Sequence, residues 1–232
     1  NMRNFIKIMA AAAIACVCIS CEKVNNNATI PVPDGCEAVD LGLSVLWASC
    51  NLGASTEADP GTYFAWGETK KKELYDWNEE GQYLWGAYST SLPTYGMTKY
   101  VDSLVGGDGI NILEPNDDAA TKNWGGKWRM PTEAEFYELV DETKCEWTWD
   151  DERKGYIVKG LATMNSIFLP AAGLFDENEL KDKDLCGYYW SSEVNFMNCY
   201  SPVELMFDTD IFFVNCYFRK CGSSVRPVME KE

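Results

Sequence analysis

The short length of its apolar segments most constrains how this chain folds. Eight segments are rich in β-branched and aromatic residues, and each is bounded by Gly, Pro, Asn or Asp. They read VDLGLSVLWAS, TYFAWGE, GYIVKG, NSIFLPAAG, GYYWSS, PVELMF, IFFVNCYF and SSVRPV. Segments of this kind form short strands between turns. The pattern therefore predicts an α+β fold with few helices and long loops.

Two helices are expected among these strands. In MPTEAEFYELVDE, Thr132 and Glu135 form a capping box, and the apolar residues that follow repeat at helical spacing. A shorter helix is expected around DDAATKNWGG. There Asn116 or Asp117 would cap the first turn, and Gly125 would end the last.

The N-terminal residues are typical of an export signal. Arg3 and Lys7 belong to a basic region before an apolar run over 8–19, which is too short for a comfortable membrane span. The run ends in CISC, and a small residue directly before a cysteine is typical of a bacterial lipoprotein signal. We therefore expect acylation of Cys21, with a plain secretory signal as the alternative.

This interpretation divides the chain into three parts. Residues 1–20 are a lipoprotein signal peptide, and 21–37 are a polar, Pro-containing tether that carries the lipid. No linker or repeat interrupts the remainder, so 38–229 is expected to be a single domain. The acyl chains would be the only contact with a membrane, at about 0.8 kcal/mol per buried methylene.

Charge and residue types exclude several functions. Lys and Arg number 20 against 36 Asp and Glu, a net charge of −16, so the average surface repels the nucleic-acid backbone. The chain has no histidine, which removes the usual general base and the usual zinc ligand. We expect no nucleic-acid partner, no metal and no cofactor.

One tripeptide has a known use in sugar binding. EPN at 114–116, followed by Asp117 and Asp118, matches the residues with which mannose-type C-type lectins hold calcium and sugar hydroxyls. The companion Trp-Asn-Asp tripeptide is absent downstream. Capping of a helix accounts for the same residues and is the favoured interpretation.

Two further motifs are interpreted as loops. GGDG at 106–109 lacks a following Lys-Ser/Thr, so a flexible turn is favoured over a phosphate loop. Acidic residues alternate with lysines in FDENELKDKD, which indicates a solvated loop in preference to a glycosidase carboxylate pair. The carboxylates concerned are Glu177, Glu179, Asp182 and Asp184.

The cysteines after Cys21 are odd in number, so in an exported protein at least one is unpaired or joins another molecule. They are Cys36, Cys50, Cys145, Cys186, Cys199, Cys216 and Cys221. The sequence leaves the connectivity open. Cys50 with Cys145 is the first pairing that we expect.

Seven motifs occur in order over about 38–228. They are AVDLGLSVLWASCNLGA, YFAWGET, LEPNDDAATKNWGGKWRMPTEAEFYELV, CEWTW, NSIFLPAAG, GYYWSS and GSSVRPV. Together they resemble the Fibrobacter succinogenes major paralogous domain family. The resemblance implies a C-type-lectin-like fold, shared with formylglycine-generating enzymes, with two helices, short and mainly antiparallel sheets and long loops. It also implies a lipoprotein on the outer membrane or cell surface of a Gram-negative bacterium.

The resemblance does not extend to oxidase chemistry. Cys216 and Cys221 are similar in spacing to the cysteine pair of the formylglycine-generating oxidases. In those enzymes an Arg-Ser-Ser-Asn type stretch follows the pair well before the final Gly-Phe-Arg, whereas here GSSVRPV follows Cys221 at once. We therefore expect no enzyme, with an oxidase or a hydrolase as the less favoured alternative.

Strand alternation separates two faces in the segment between GYYWSS and GSSVRPV. One face is uniformly apolar and is expected in the core: Val203, Leu205, Phe207, Phe212, Val214 and Cys216. The other is mixed: Glu204, Met206, Asp208, Phe213, Asn215 and Tyr217. An unsatisfied buried polar group costs about 1–3 kcal/mol, so we expect the mixed face to point into solvent.

Exposed aromatic residues beside Asn and charged residues are typical of a contact surface. We therefore expect a monomer that binds a protein or glycan ligand through residues in about 188–226. The candidate ligand-binding residues are Asn195, Phe196, Asn198, Tyr200, Glu204, Met206, Phe213, Asn215, Tyr217, Phe218 and Lys220.

The family resemblance adds a hypothesis of diversification. Its members are similar to targets of diversity-generating retroelements, which mutate adenines in a C-terminal stretch. An Asn codon reaches ten residues here by changes at its first two bases: Asn195, Phe196, Asn198, Tyr200, Phe213, Asn215, Cys216, Tyr217, Phe218 and Cys221. Glu204, Met206 and Lys220 are out of its reach. An ordinary adhesin or glycan-binding lipoprotein, and aromatics that pack under a neighbouring loop, are the alternatives.

Overall fold

The computed structural model describes residues 31–77, 83–87, 96–197 and 201–232. Within them the chain is mostly β, with two short α-helices and several small antiparallel sheets. The expectation of two helices among short antiparallel sheets is therefore confirmed. In this part of the chain no helix is long and apolar enough to cross a membrane.

The helices are α1 Ala119–Trp124 and α2 Glu133–Leu139. The strands are β1 Ala38–Asp40, β2 Val45–Ala48, β3 Gly86–Ala87, β4 Gly96–Met97, β5 Cys145–Asp150, β6 Gly155–Gly160, β7 Ser166–Pro170, β8 Leu174–Asp176, β9 Glu179–Lys181, β10 Gly187–Asn195, β11 Ser201–Phe207, β12 Phe212–Cys216 and β13 Val228–Glu230. Three sheets have three strands each, in the orders β1-β2-β13, β5-β6-β7 and β10-β11-β12, while β3-β4 and β8-β9 are hairpins.

Three segments differ from the predicted elements. TYFAWGE forms only an isolated bridge at Phe64, and SSVRPV contributes only Val228 to a strand. FDENELKDKD, expected to be a solvated loop, instead contains part of the β8-β9 hairpin, with Asp176 opposite Glu179. Its alternation of acids and lysines therefore belongs largely to an exposed two-stranded ribbon.

Side-chain caps fix the start of each helix. The predicted capping box of α2 is confirmed, since Thr132 Oγ1 accepts from the Glu135 amide at 3.2 Å and Glu135 Oε2 accepts from the Thr132 amide at 2.8 Å. Helix α1 ends at Gly125 as expected. Its cap is Asp118, whose Oδ1 accepts from the Thr121 amide at 2.8 Å.

The expected caps Asn116 and Asp117 were therefore wrong. Both precede the cap and lie in the turn that leads into α1. Asp118 is the better cap because its second oxygen also accepts from the Met130 amide at 2.9 Å. One buried carboxylate thus joins the start of α1 to the segment before α2.

A disulfide joins Cys36 to Cys50, so the expected pairing of Cys50 with Cys145 was wrong. Strands β1 and β2 pair with Ala38 opposite Ala48, and the same register places residue 36 opposite residue 50. Cys145 is a free, buried thiol at the start of β5. Strand pairing, which the cysteine count does not reveal, decides the connectivity.

The largest apolar cluster lies between α2 and the three-stranded sheets. Trp47 of β2 stacks on Phe136 of α2 at 6.0 Å between ring centroids, and Phe207 of β11 meets Tyr156 of β6 at 5.3 Å. A second cluster surrounds Trp66. Burial of such large rings supplies most of the stabilisation of a domain of this size.

Two indole groups of the second cluster fasten loop 61–68 to the middle of β10. The Trp66 Nε1 donates to the Ser191 carbonyl and the Trp190 Nε1 donates to the Phe64 carbonyl, each at 2.8 Å. Both rings are fully buried. These two side-chain bonds hold TYFAWGE beside β10, although the segment does not pair with β10 as a strand.

Arg226 is a fully buried cation that joins three parts of the chain. Its guanidinium donates to Asn51 Oδ1 at 2.8 Å, to the Ala48 carbonyl at 2.9 Å and to the Phe168 carbonyl at 2.8 Å. Burial lowers the pKa of Arg226 to about 10. Its charge is therefore retained at neutral pH and is stabilised by these acceptors.

We predict that Arg226→Met destabilises the protein by about 3 kcal/mol or more, because hydrogen bonds to a charged group contribute about 1.5–3 kcal/mol each and the buried acceptors would lose their donors. Denaturant unfolding measures the change. Arg153→Met is the matched control: its half-exposed guanidinium pairs with Glu57 and Asp150, and such pairs contribute about 0–1 kcal/mol. Equal effects for the two variants would contradict the assigned role of Arg226.

Candidate functional site

The sheet β10-β11-β12 carries most of the predicted binding residues. Strand β11 lies in the middle and β12 at the edge. The apolar face of β11 is buried as expected, since Val203, Leu205 and Phe207 are each 1% exposed or less. The β12 residues Phe212 and Val214 pack against the same cluster. The prediction of a core face in this segment is confirmed.

The opposite face is open to solvent only along its edge. Phe213 is 37% exposed, Asn215 is exposed, and Phe218, just beyond the strand, is 59% exposed. Tyr217 is half-buried, with its ring 5.5 Å from that of Phe218. We name these four residues, Phe213, Asn215, Tyr217 and Phe218, the β12 surface.

Glu204 was expected in solvent on this face, and that expectation was wrong. It lies between Trp190 of β10 and Asn215 of β12 in the register and is completely buried. Neither of its carboxyl oxygens has a hydrogen-bond partner among the described residues. Burial raises the pKa of Glu204 well above its usual range, so the neutral acid is favoured.

The reason for this burial is the segment after β12. The Tyr217 amide donates to the Pro202 carbonyl at 3.0 Å, and from there the chain turns back across β11 and β10. The Trp190 amide donates to the Ser224 carbonyl at 3.0 Å. Residues 217–225 thus form a covering segment over a face that strand alternation alone assigns to water.

Met206 and Lys220, two further candidate binding residues, make contacts inside the domain. Met206 is half-buried and packs beside Leu174, Tyr188 and Cys221. Lys220 forms an ion pair with Asp176 of β8 and is largely buried. Hydrogen bonds from Lys181 and Lys220 lower the pKa of Asp176 to about 2.

The remaining candidates lie at the far end of β10. Asn195 Nδ2 donates to Glu133 Oε1 at 3.3 Å, and Phe196 packs against the second apolar cluster. Both are half-buried. Asn198 and Tyr200 lie outside the described residues, as do the expected lipidation site Cys21 and Cys199.

The two cysteines that resemble an oxidase pair are in different chemical states. Cys216 is disulfide-bonded, whereas Cys221 is a free thiol. Burial raises the pKa of Cys221 to about 12, so its thiolate, the form that reacts, is scarce at neutral pH. The geometry therefore offers no activated thiol at this position.

Lys99 forms ion pairs with two of the acidic side chains in and next to EPN. Its ammonium contacts Glu114 and lies 2.6 Å from Asp117 Oδ2, which also accepts from the Tyr100 hydroxyl at 2.6 Å. Asp118 is taken by the cap of α1. Within the described ranges, no group of three or more Cys, Asp or Glu side chains is placed to hold a metal ion.

No family model matches this chain, and neither a curated protein nor a solved structure matches it with significance. The function is therefore inferred from the geometry of the site alone. The site combines an exposed aromatic edge with a buried acid on the neighbouring strand, and the described residues offer this acid no hydrogen-bond partner.

We predict that Glu204→Met stabilises the protein at pH 7.5 by about 1–3 kcal/mol, because it removes two unsatisfied polar atoms from the interior. The folded chain keeps a proton that the unfolded chain loses above the usual pKa of 4.5. Stability contributed by this group therefore falls as pH rises above about 4.5. The gain should accordingly be smaller at pH 4.5, as measured by denaturant unfolding.

The control for this variant is Glu142→Met at an exposed position. Its effect should stay within about 0.5 kcal/mol at both pH values. A loss of stability in Glu204→Met would indicate that the carboxyl has a partner in solution. A gain that is the same at both pH values would show that folding does not raise the pKa of Glu204.

Proposed function

We propose that this chain is an exported ligand-binding protein whose β12 surface contacts a protein or glycan. The observation that carries the proposal is the exposure of Phe213 and Phe218 beside Asn215 on the edge of a packed sheet. Rigid aromatic anchors next to an adaptable amide are typical of binding surfaces. Single exposed apolar residues are ordinary, but a cluster on one edge indicates a contact site.

The scaffold that we propose is the C-type-lectin-like fold implied by the family resemblance. Its support is the arrangement of two short helices and small antiparallel sheets, with β13 pairing to β2 so that the two ends of the described domain share one sheet. A domain closed in this way holds its loops and edge strands on a fixed frame.

Export and a lipid anchor at Cys21 complete the proposal. The disulfide between Cys36 and Cys50 supports an oxidising compartment, since disulfides form and persist outside the cytosol. Cys36 lies at the end of the proposed tether and Cys50 just after β2. The disulfide would therefore hold β1 to β2 where the anchored chain enters the domain.

A binding role is favoured over catalysis because the reactive candidates serve the scaffold. Lys99 holds Asp117, Asp118 caps α1, and Cys221 is a buried thiol with a raised pKa. The acid pair Glu177 and Glu179 belongs to the exposed β8-β9 hairpin and its turn. No arrangement of nucleophile, base and orienting group emerges from the described residues.

Diversification by a retroelement is the second candidate, and one pattern favours it. The residues of the β12 surface are all within reach of a mutated Asn codon. The three positions out of reach are held in the scaffold instead: Glu204 is buried, Met206 packs in a cluster, and Lys220 pairs with Asp176. Variation would then include the whole β12 surface and spare these three supports.

We predict that Phe213→Ala combined with Phe218→Ala weakens ligand capture at least about tenfold, because buried aromatic anchors dominate binding energy. The free energy of unfolding should change by no more than about 0.5 kcal/mol. Glycan and protein arrays probed with the full chain identify the ligand. Surface plasmon resonance then measures the affinity of each variant.

Leu104→Ala combined with Leu161→Ala is the matched control, since it removes two exposed apolar side chains elsewhere. Its affinity should equal that of the wild-type chain. A large loss of stability in the phenylalanine variant would instead indicate that these rings pack under a neighbouring loop, and unchanged capture would refute the β12 surface as the binding site.

Diversification has a separate genetic test. We expect the adjoining DNA to contain a near-copy of the codons for residues 188–228 beside a reverse-transcriptase gene, with differences concentrated at adenines of the copy. Sequencing of the neighbouring region checks this expectation. Its failure would leave the ordinary adhesin as the form of the proposed function.

A further inference from the structure

A buried acid, Glu204, lies on the strand next to the proposed binding surface. Glu204 faces the same side of the sheet as Asn215, its register partner on β12. Both carboxyl oxygens are buried and unbonded within the described residues. Buried polar atoms are rarely left in this state, and each exception calls for an explanation such as strain, a chemical role, or a bound water or ion.

The side chain of Tyr217 lies close to this acid. Its ring lies 6.1 Å from that of Tyr188 and 5.5 Å from that of Phe218, and the charge of Glu204 bears on the pKa of its hydroxyl. Among the described residues, nothing hydrogen-bonds to that hydroxyl, so ring packing alone holds the side chain in place. A change of its rotamer would therefore break apolar contacts and no hydrogen bond of its hydroxyl.

We propose that the β12 surface binds an arginine side chain of a protein ligand, with Glu204 accepting both arms of the guanidinium after Tyr217 moves aside. This inference rests on the proposed binding function and specifies its ligand. Glu204 gives up its proton to solvent as the guanidinium enters, so one buried neutral acid becomes one buried ion pair. The ligand supplies the donors that both carboxyl oxygens lack.

Arginine fits this site better than other groups for two reasons. Its planar fork matches a carboxylate with two free oxygens, which a single ammonium would satisfy less completely. It also stacks on aromatic rings, and the rings of Tyr217 and Phe218 lie next to each other on the β12 surface. The net charge of −16 draws cations toward the protein in general.

The surrounding groups leave the charge of an entering cation unopposed. Burial raises the pKa values of Tyr217 and Cys221, which lie close to Glu204, and of Cys186 and Tyr188 in the same apolar cluster, which keeps all four neutral at pH 7. The nearby charged groups are Asp176, Lys181, Asp182, Asp208 and Lys220. Asp176 forms ion pairs with both lysines. With Asp182 and Asp208 these groups carry three negative and two positive charges, so their sum is one negative charge.

The test uses two probes of equal length, N-acetyl-arginine amide and N-acetyl-citrulline amide, the second of which has no charge. Each is titrated into the full chain at pH 7.5, and NMR follows the Met206 methyl, the Tyr217 ring and the Glu204 carboxyl carbon. We expect saturable shifts with the arginine probe, movement of the Glu204 carbon to its ionised position, and at least tenfold weaker binding of the citrulline probe.

Glu204→Gln keeps the shape of the neutral acid and should bind both probes equally weakly. Binding of the arginine probe should also weaken at pH 4.5, where proton release from Glu204 is opposed. The inference is overturned by the absence of saturable shifts, by equal shifts with the two probes, or by unchanged arginine binding in Glu204→Gln. The first two outcomes use the wild-type chain, so they do not depend on the folding of the variant.

Failure of this inference is distinguishable from failure of the proposed function. If the arginine probe fails while the Phe213→Ala and Phe218→Ala variant still loses its array ligand, only the arginine site is refuted. If that variant keeps full capture, the β12 surface itself is refuted as the binding site.

Discussion

The buried guanidinium of Arg226 determines where the last part of the chain runs. It is bonded to β2, to β7 and to Asn51, which places the C-terminal segment through the centre of the molecule. Backbone bonds follow the same path, including Leu52 N–H to the Val225 carbonyl and Ala48 N–H to the Pro227 carbonyl. Because β12 is an edge strand, the chain must cross β11 and β10 to reach this anchor. That crossing is what buries Glu204.

Much of the fold follows from local sequence patterns. The path of residues 217–225 across β11 and β10 does not. GYIVKG, PVELMF and the capping box of α2 predict their elements well because apolar alternation and side-chain caps act within a few residues. Alternation in β11 also identified the core face. It failed at Glu204 because whether the second face meets water depends on a segment thirteen or more positions later along the chain. The Cys36–Cys50 bond was missed for a related reason, since strand register decides it.

The contrast between Glu204 and the other acids shows how unusual it is. Asp118 is nearly as buried, but its two oxygens accept from the Thr121 and Met130 amides. Asp176 pairs with two lysines. Such contacts offset the desolvation of a carboxylate, whereas an unsatisfied buried group costs about 1–3 kcal/mol. A scaffold that satisfies its other deep carboxylates so consistently has no structural need for an acid at position 204.

The edge position of the β12 surface explains how exposed aromatics coexist with a stable domain. The inward residues Phe212 and Val214 pack against the core, and Trp147 stacks on Phe212 at 4.4 Å between ring centroids. The outward residues Phe213 and Asn215 then have no part in that packing and are free to change. The inward face of β12 thus stabilises the domain, and its outward face is available to bind a ligand. Glu204 lies on the neighbouring strand β11, between the packed core and the β12 surface. A ligand that contacts Glu204 would therefore contact the packed scaffold as well as the β12 surface.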